Sequence, residues 1–417
     1  MITLLIVADD FTGALDTGVQ LAGCGAPTRV VTDPDFSPAS AAGAEVLVID
    51  AETRHLPAAE AAAIVGGIVR RAVEQKVPYI YKKTDSALRG NVGAELGALL
   101  AASGEEALPF LPAYPQIGRC TRGGVHYIED KPVAESVFGI DPFEPVRHSD
   151  VAGLIGAQSS VAVHSLPADG PVPDGQGVYV YDADSLADLE QTGRALAAAG
   201  RLHISAGCAG FGAVLPRLLG LCRGQSLPMP QLDPRLLVVC GSVNPITVAQ
   251  LDAAEAAGFA RMRLAPRQKL TAGYWQTEEG CAARAGIEAA LRANPHCIID
   301  SNDAGGNQLT ADYAAALGCS LEEMRVRIAT GIGDLVAALF HSEAVGTLLM
   351  TGGDTLLQAM RSAGVRELEP ICEMEKGVVL AKCNYNGCTK HVITKSGGFG
   401  QASLLTDLAA RLAAQAG

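Results

Sequence analysis

Ile2-Thr3-Leu4-Leu5-Ile6-Val7-Ala8 runs straight into Asp9-Asp10-Phe11-Thr12-Gly13-Ala14-Leu15-Asp16-Thr17-Gly18. The first part is a short apolar run with β-branched residues, which reads as a buried strand. Thr12 stands where the N-cap of a following helix is expected, and Gly13 permits a close approach at the turn. In an open α/β sheet, ligands gather at the carboxyl ends of the strands. Asp9, Asp10 and Asp16 crowd one such junction. A single acid there would read as a plain cap, because the positive end of the helix dipole favours negative charge; three together favour a site.

The same alternation continues outward. Strand-like runs at 45–50, 79–84, 107–113, 235–241, 297–301, 346–351 and 391–395 are separated by helical patterns at 57–75, 91–102, 185–199, 245–257, 278–293, 320–341 and 401–415. This predicts an α/β fold of mostly parallel sheets with helices on both faces. A chain of 417 residues is long for one core, so two domains are expected. Pro228, Pro230 and Pro234 rule out a helix or a central strand between them. The domains are therefore placed at 1–224 and 235–417, with 225–234 as a Pro-rich linker. No internal repeat or low-complexity tract shows.

Hydrophobic residues make up 48% and charged residues 18% of the chain, a globular composition rather than a disordered one. The net charge of −13 argues against nucleic-acid or anionic-membrane partners, which call for a basic face. No apolar segment reaches the roughly 18 residues of a membrane span, and no signal-peptide pattern precedes the first strand. The 11 cysteines are scattered without a C-x-x-C pair, which suggests reduced thiols and a cytoplasmic setting. Cys383, Cys388 and His391 lie close in sequence, but no second ligand pair completes a zinc site, and metal ligands are left unassigned.

In the N-terminal half, Tyr81-Lys82-Lys83-Thr84-Asp85-Ser86-Ala87-Leu88-Arg89-Gly90-Asn91 follows a second apolar strand. Arg can grip a carboxylate bidentately and Asp can accept from hydroxyls, so this cluster suits a hydroxylated acid. The stretch 112–127 follows a third strand. Its Pro and Gly content reads as an irregular loop, with Arg119, Arg122 and His126 available to join or cover the anion site.

In the C-terminal half, Gly241-Ser242-Val243-Asn244-Pro245, Thr351-Gly352-Gly353-Asp354-Thr355 and Lys395-Ser396-Gly397-Gly398-Phe399-Gly400 each end a strand and open a helix. Amides freed by glycine at a helix N-terminus form an anion site suited to nucleotide phosphates. The chain lacks both G-x-x-x-x-G-K-[ST] and a strand-placed G-x-G-x-x-G. Gly331-Ile332-Gly333-Asp334 falls inside a long helical pattern and reads as structural.

These motifs, in this order and almost end to end, resemble the four-carbon acid sugar kinase family. The resemblance rests on Ala8-Asp9-Asp10-Phe11-Thr12-Gly13-Ala14 with Asp16, on Lys82 to Ser86 with Leu88 to Asn91, on Pro112 to Pro115 with Gly118-Arg119, and on the three glycine turns. Thr17 to Gln20 and Asp141-Pro142-Phe143, with Pro145, His148, Ser149 and Asp150, resemble the D-threonate and D-erythronate kinases of that family. The resemblance implies an N-terminal acid-sugar domain, a C-terminal nucleotide domain and an active site in the interdomain cleft. It also implies ATP with Mg²⁺, transfer to the terminal hydroxyl of a tetronate or 3-oxo-tetronate, and a soluble homodimer among the possible assemblies. Asp10, Asp16 and Asp85 are then candidate catalytic groups. Asp9, Thr12, Lys82, Lys83, Ser86, Arg89 and Gly90 would bind substrate, and Ser242, Gly352, Gly353, Asp354, Thr355, Lys395, Gly397 and Gly398 the nucleotide. Glu375 to Leu380 departs from the Pro-containing stretch that the family commonly carries there. An NAD(P)-dependent oxidoreductase of sugar acids and a non-catalytic sugar-acid sensor are the rival expectations.

Overall fold

The computed structural model describes residues 1–141, 144–224 and 228–416. Pro142 and Phe143, and linker residues 225–227, lie outside the described residues. The chain divides into two units, Met1–Leu227 and Pro228–Gly417, each taken by itself below. Among the described residues, no helix is long and apolar enough to cross a membrane.

The strands of the first unit are β1 (Leu4–Ala8), β2 (Thr28–Val31), β3 (Val46–Asp50), β4 (Tyr79–Lys83), β5 (Ala107–Leu111), β6 (Arg119–Arg122), β7 (Val125–Ile128), β8 (Lys131–Pro132), β9 (Val163–Leu166), β10 (Gly177–Tyr181) and β11 (Ile204–Gly207). The helices are α1 (Phe11–Gly23), α2 (Ala58–Glu74), α3 (Val92–Ser103), α4 (Val151–Gly156), α5 (Leu186–Ala198), α6 (Ala209–Gly212) and α7 (Leu215–Leu218). Eight strands form one parallel sheet in the order β2-β3-β1-β4-β11-β5-β10-β9. Strand β1 is buried along its whole length, as a central parallel strand covered on both faces must be. Leu5, Val7, Leu47, Ile49 and Ile80 share one core with Val65 and Ile68 of α2 and Leu96 and Leu99 of α3.

In the second unit the strands are β12 (Leu236–Cys240), β13 (Ala260–Arg263), β14 (His296–Asp300), β15 (Thr347–Thr351), β16 (Glu367–Glu375), β17 (Val378–Tyr385) and β18 (Cys388–Lys395). The helices are α8 (Pro245–Ala256), α9 (Pro266–Leu270), α10 (Glu278–Ala293), α11 (Gln308–Ala316), α12 (Leu321–Leu339), α13 (Gly353–Ser362) and α14 (Leu404–Ala416). The strand order is β13-β14-β12-β15-β18-β17-β16, parallel as far as β18 and antiparallel beyond it. Leu404, Leu408 and Leu412, spaced to share one face of α14, pack with Val238, Ile298, Leu349 and Ile393.

Two local expectations need correction, and the stretch that departs from the family pattern finds its place. The N-cap of α1 is Asp10, not Thr12: Asp10 is extended, and its Oδ1 accepts from Gly13 N at 3.1 Å. Residues 119–132 are not an irregular loop but a three-stranded antiparallel sheet, β6-β7-β8. Gly123 and Gly124, both at positive φ, make its two-residue hairpin turn. The departing stretch at 375–388 lies in the antiparallel β16-β17-β18 meander, in which Asn386 and Gly387 at positive φ join Tyr385 to its partner Cys388. An Asn-Gly pair between alternating apolar residues is a strong hairpin signal. Gly331 to Asp334 lies inside α12 as expected.

Candidate active site

In each unit the order of the strands fixes where a ligand can bind. The chain leaves β1 towards β3 and β2 on one side, then returns to lay β4 on the other side of β1. The sheet therefore switches direction between β1 and β4, and a crevice opens outside their carboxyl ends. Those ends carry Asp9-Asp10 and Thr84-Asp85-Ser86.

A residue outside both motifs joins them. Arg54, four residues beyond β3, donates through Nε to Asp9 Oδ2 at 2.8 Å and through Nη2 to Asp10 Oδ1 at 2.7 Å. Its Nη2 also lies 3.9 Å from Asp85 Oδ1. Its loop is pinned by backbone bonds from Thr53 N and Arg54 N to Asp9 O, at 3.1 and 3.2 Å. Arg89 grips Asp85 with two parallel bonds, Nε to Oδ2 at 2.9 Å and Nη2 to Oδ1 at 3.0 Å. Arg119 donates to the Ser86 hydroxyl. His126 bonds Ser86 O at 2.9 Å and the Thr121 hydroxyl at 3.0 Å. Arg89 and Arg119 also approach the Phe138 ring, at 5.2 and 5.1 Å from its centroid.

The charges are arranged unevenly. Burial alone would raise the Asp9 carboxyl, but Arg54, Lys82 and Lys83 outweigh it and hold it below the ordinary value. Burial likewise opposes ionisation of Asp85, and Arg89 with Arg54 overcomes it, leaving Asp85 well below the usual carboxylate range. Burial pulls His126 down to about 4, so the imidazole is neutral at pH 7. Both protein bonds to Asp10 fall on Oδ1, and its side chain keeps 21% exposure against 4% for Asp9 and 9% for Asp85. Asp10 is thus the most accessible carboxylate of the three.

The expected substrate residues separate by depth. Lys83 is buried, donates to Thr84 O at 2.9 Å, and reaches the start of α1 only because residue 13 is glycine: a Cβ there would stand 2.8 Å from Lys83 Nζ and 2.5 Å from Asp10 Oδ1. Lys82 points elsewhere, fully buried against Glu95 of α3, Nζ to Oε2 at 3.0 Å. It is not placed to touch a ligand. Thr12 and Asp16 sit one turn apart on the half-buried stripe of α1. Gly90, at φ +85°, packs on the Arg54 backbone. Arg122 leaves the cluster and pairs with Asp184.

In the second unit the equivalent switch lies between β12 and β15, whose loops interlock. A Cβ on Gly241 would collide with Thr355 Oγ1, and one on Gly352 (φ +106°) would stand 3.2 Å from Gly241 C. The loop after β18 closes the third side: a Cβ on Gly397 would lie 2.9 Å from Ser242 Oγ. Ser242, Thr355, Gly241, Gly352 and Gly397 therefore converge, with bare backbone where side chains would fill the space, Gly353 opens α13 beside them, and Gly398 lies beside Asn244. Asn244 caps α8 through Ile246 N at 3.0 Å. Two residues expected to line the nucleotide are otherwise engaged. Asp354 pairs with Arg325 of α12. Lys395 donates to Ser396 O at 3.0 Å, Gly397 O at 3.3 Å and Thr247 Oγ1 at 3.2 Å, and burial lowers it to about 8. It shapes the glycine turn from beneath rather than facing outward.

A sugar-binding N-terminal domain family matches residues 4–215, and a nucleotide-binding C-terminal domain family matches residues 237–405. The chain is 30% identical to the D-threonate kinase of Salmonella typhimurium over 97% of both chains. It is 29% identical to the D-erythronate kinase of Heliobacterium modesticaldum, over 88% of this chain and 87% of the other. The chain belongs to the four-carbon acid sugar kinase family. A solved Salmonella typhimurium structure, 22% identical, shares the fold with a TM-score of 0.78 over 98% of this chain and 99% of its own. In this four-carbon acid sugar kinase, the sugar-binding match spans the Asp10–Arg54–Arg89 cluster, and the nucleotide-binding match spans the three glycine turns.

Proposed function

We propose that the chain transfers the γ-phosphoryl group of ATP to the terminal hydroxyl of a four-carbon acid sugar, with D-threonate or D-erythronate as substrate. The observation that carries this reading is the division of chemistry between the two switch points. One gathers carboxylates and guanidinium groups, and the other gathers bare amides and hydroxyls. The first suits a small acid with several hydroxyls, because its clustered guanidinium groups favour a carboxylate nearby and Asp10 can accept from a hydroxyl. The second suits a polyphosphate, because the glycines leave room where α13 begins without a side-chain cap on its first amides.

Phosphoryl transfer needs little covalent help, so positioning and electrostatics supply most of the rate. Asp10 orients the attacking hydroxyl and accepts its proton. Asp85, held by two bonds from Arg89, is a poor proton acceptor and instead sets the Arg89 fork. Arg54 fixes Asp10 and keeps the cluster from repelling itself. Among the described residues no group of three His, Cys, Asp or Glu could cage a metal. Mg²⁺ borne by nucleotide phosphates needs only one or two protein oxygens, and it would offset phosphate charge there. ATP as donor is consistent with a cytoplasmic enzyme.

Coupled ADP release with ATP and a panel of four-carbon acids, including 3-oxo-tetronates, tests this reading. Turnover with a tetronate is expected, with no absorbance change when a nicotinamide cofactor replaces ATP. Absence of ADP release with every acid would overturn it.

A further inference from the structure

Glu95 belongs to none of the ligand-facing groups, yet it is the residue to which two of their supports are tied. It lies in the first turns of α3 and is 1% exposed. Its Oε2 pairs with Lys82 Nζ at 3.0 Å, and its Oε1 accepts from the Thr53 hydroxyl. Lys82 is the chain neighbour of Lys83 and donates to Lys83 O at 2.8 Å. Thr53 is the chain neighbour of Arg54 and, like Arg54, donates its backbone N–H to Asp9 O. One carboxylate thus fastens the strand end that carries Lys83 and the loop that carries Arg54. Asn91, one helical turn earlier on α3, fixes the same loop by donating to Thr53 O and Leu56 O, each at 2.8 Å.

Packing alone does not call for such a pair. Two buried charges carry a large desolvation cost, and an apolar pair of similar volume often serves stability as well or better. What an apolar pair cannot supply is a directional tie to Thr53 or a cation beside Asp9, on which Lys82 acts. We propose that Glu95 is a positioning residue of the acceptor site, a buried brace that sets Arg54 through Thr53 and Lys83 through Lys82 without touching substrate. This rests on the kinase reading for its catalytic consequence, but the brace itself has a ligand-free readout.

Glu95→Gln keeps the shape but removes the charge and leaves one acceptor oxygen where Thr53 and Lys82 each used one. A second variant, Lys82→Met with Glu95→Met, removes both charges and guards against simple misfolding. Three measurements are made on wild type and both variants: urea unfolding, exchange of the Arg54 Nε–H by ¹⁵N NMR in the absence of ligand, and steady-state kinetics with a tetronate. Glu95→Gln is expected to speed Arg54 Nε–H exchange and to lower kcat/KM for the acid at least about tenfold, the scale of a misplaced catalytic group, with KM for ATP unchanged. The double variant is expected to recover the unfolding midpoint without recovering kcat/KM or slow exchange. Recovery of all three in the double variant would make the pair merely structural and overturn the proposal. Unchanged Arg54 exchange in Glu95→Gln would overturn it as well. If wild type turns over no tetronate, the kinase reading fails, and the exchange data still decide the brace.

Discussion

Arg54 is the group whose removal the structure makes most consequential. In Arg54→Met the side-chain volume is roughly kept, but Asp9 loses its 2.8 Å partner and Asp10 its 2.7 Å partner, while Asp85 loses a cation at 3.9 Å. Asp9 is 3% exposed and its Oδ1 already has no hydrogen-bond partner. Breaking a buried pair on one side costs about 3–5 kcal/mol, a large part of the roughly 5–15 kcal/mol that holds a domain folded. The loss must depend on pH in a definite direction. In wild type Asp9 is held below its ordinary value, so its contribution is complete above pH 3.8 and is lost only as pH falls through the lower folded value. Without Arg54, burial is opposed only by Lys82 and Lys83, so the Asp9 carboxyl rises from its wild-type folded value. The folded variant therefore holds the Asp9 proton to higher pH than folded wild type, and its deficit grows as pH rises from the wild-type folded value, below 3.8, towards the raised one, a span covered by about pH 2 to 8. Arg54→Lys should lie between, because one ammonium cannot repeat a fork that meets two carboxylates. Urea unfolding of all three proteins across that range is the assay. A deficit below about 1 kcal/mol, the value of an exposed ion pair, or one that is independent of pH, would refute the account of Arg54 as the counter-charge of the cluster.

Asp10→Asn keeps a carbonyl to cap Gly13 N, so the fold should survive, while kcat falls at least about a hundredfold, the scale of general-base loss; near-wild-type turnover would remove Asp10 from proton transfer. Gly241→Ala places a methyl against Thr355 Oγ1, so calorimetry should show ATP affinity lowered at least about tenfold, the cost of a shift of about 1.4 kcal/mol, and Thr355→Ala in the same chain should restore part of it. His126, at about 4 in the folded state against 6.5 ordinarily, binds fewer protons folded than unfolded between those values. Its contribution is therefore present above pH 6.5 and is lost as pH falls towards 4, up to about 3 kcal/mol. His126→Gln should flatten that slope in acid unfolding curves, and an unchanged slope would place the acid lability elsewhere.

The half-sites were legible where a charged or glycine-rich cluster directly follows an apolar run, as at Ala8-Asp9-Asp10, Lys83-Thr84-Asp85 and Thr351-Gly352-Gly353. Such placement needs only the strand to be recognised. Arg54 was not legible, because its partners Asp9 and Asp10 are 45 and 44 residues away, and only the pairing of β3 beside β1 brings them together. Its one signal, a lone arginine four residues beyond Val46–Asp50, is no different from many loop cations. Lysines were over-read for a related reason. Sequence shows that Lys82, Lys83 and Lys395 end strands, but not which have acceptors already waiting; Glu95 takes Lys82, and the carbonyls of its own turn take Lys395. The Asn386-Gly387 and Gly123-Gly124 turns were in plain view. The first falls beside a stretch noted only as a departure from the family pattern, and the second inside one whose Pro and Gly content reads as an irregular loop.

The two units open on the same arrangement, β2-β3-β1-β4 in one and β13-β14-β12-β15 in the other, although the sequence shows no repeat. A shared order dictates where the crevice forms, since the switch point follows from topology alone. It does not dictate what the crevice holds. At the first switch the two loops carry side chains that accept and donate, Asp10 and Ser86 among them, which a small uncharged hydroxyl requires in order to be oriented. At the second they carry Gly241 and Gly352, where a side chain would exclude the backbone approach that a phosphate requires. The glycines of the second unit and the carboxylates of the first are thus alternative answers at the ends of equivalent strands. On this reasoning a carboxylate introduced at Gly352 should expel nucleotide by bulk, by backbone strain at φ +106° and by charge, whereas Gly352→Ala should do so without the charge. Comparing ATP affinity of the two variants at low and high salt separates the terms: the aspartate variant should recover part of its deficit as salt screens the repulsion, and the alanine variant should not. Equal salt dependence in both would mean that the turn does not face phosphate.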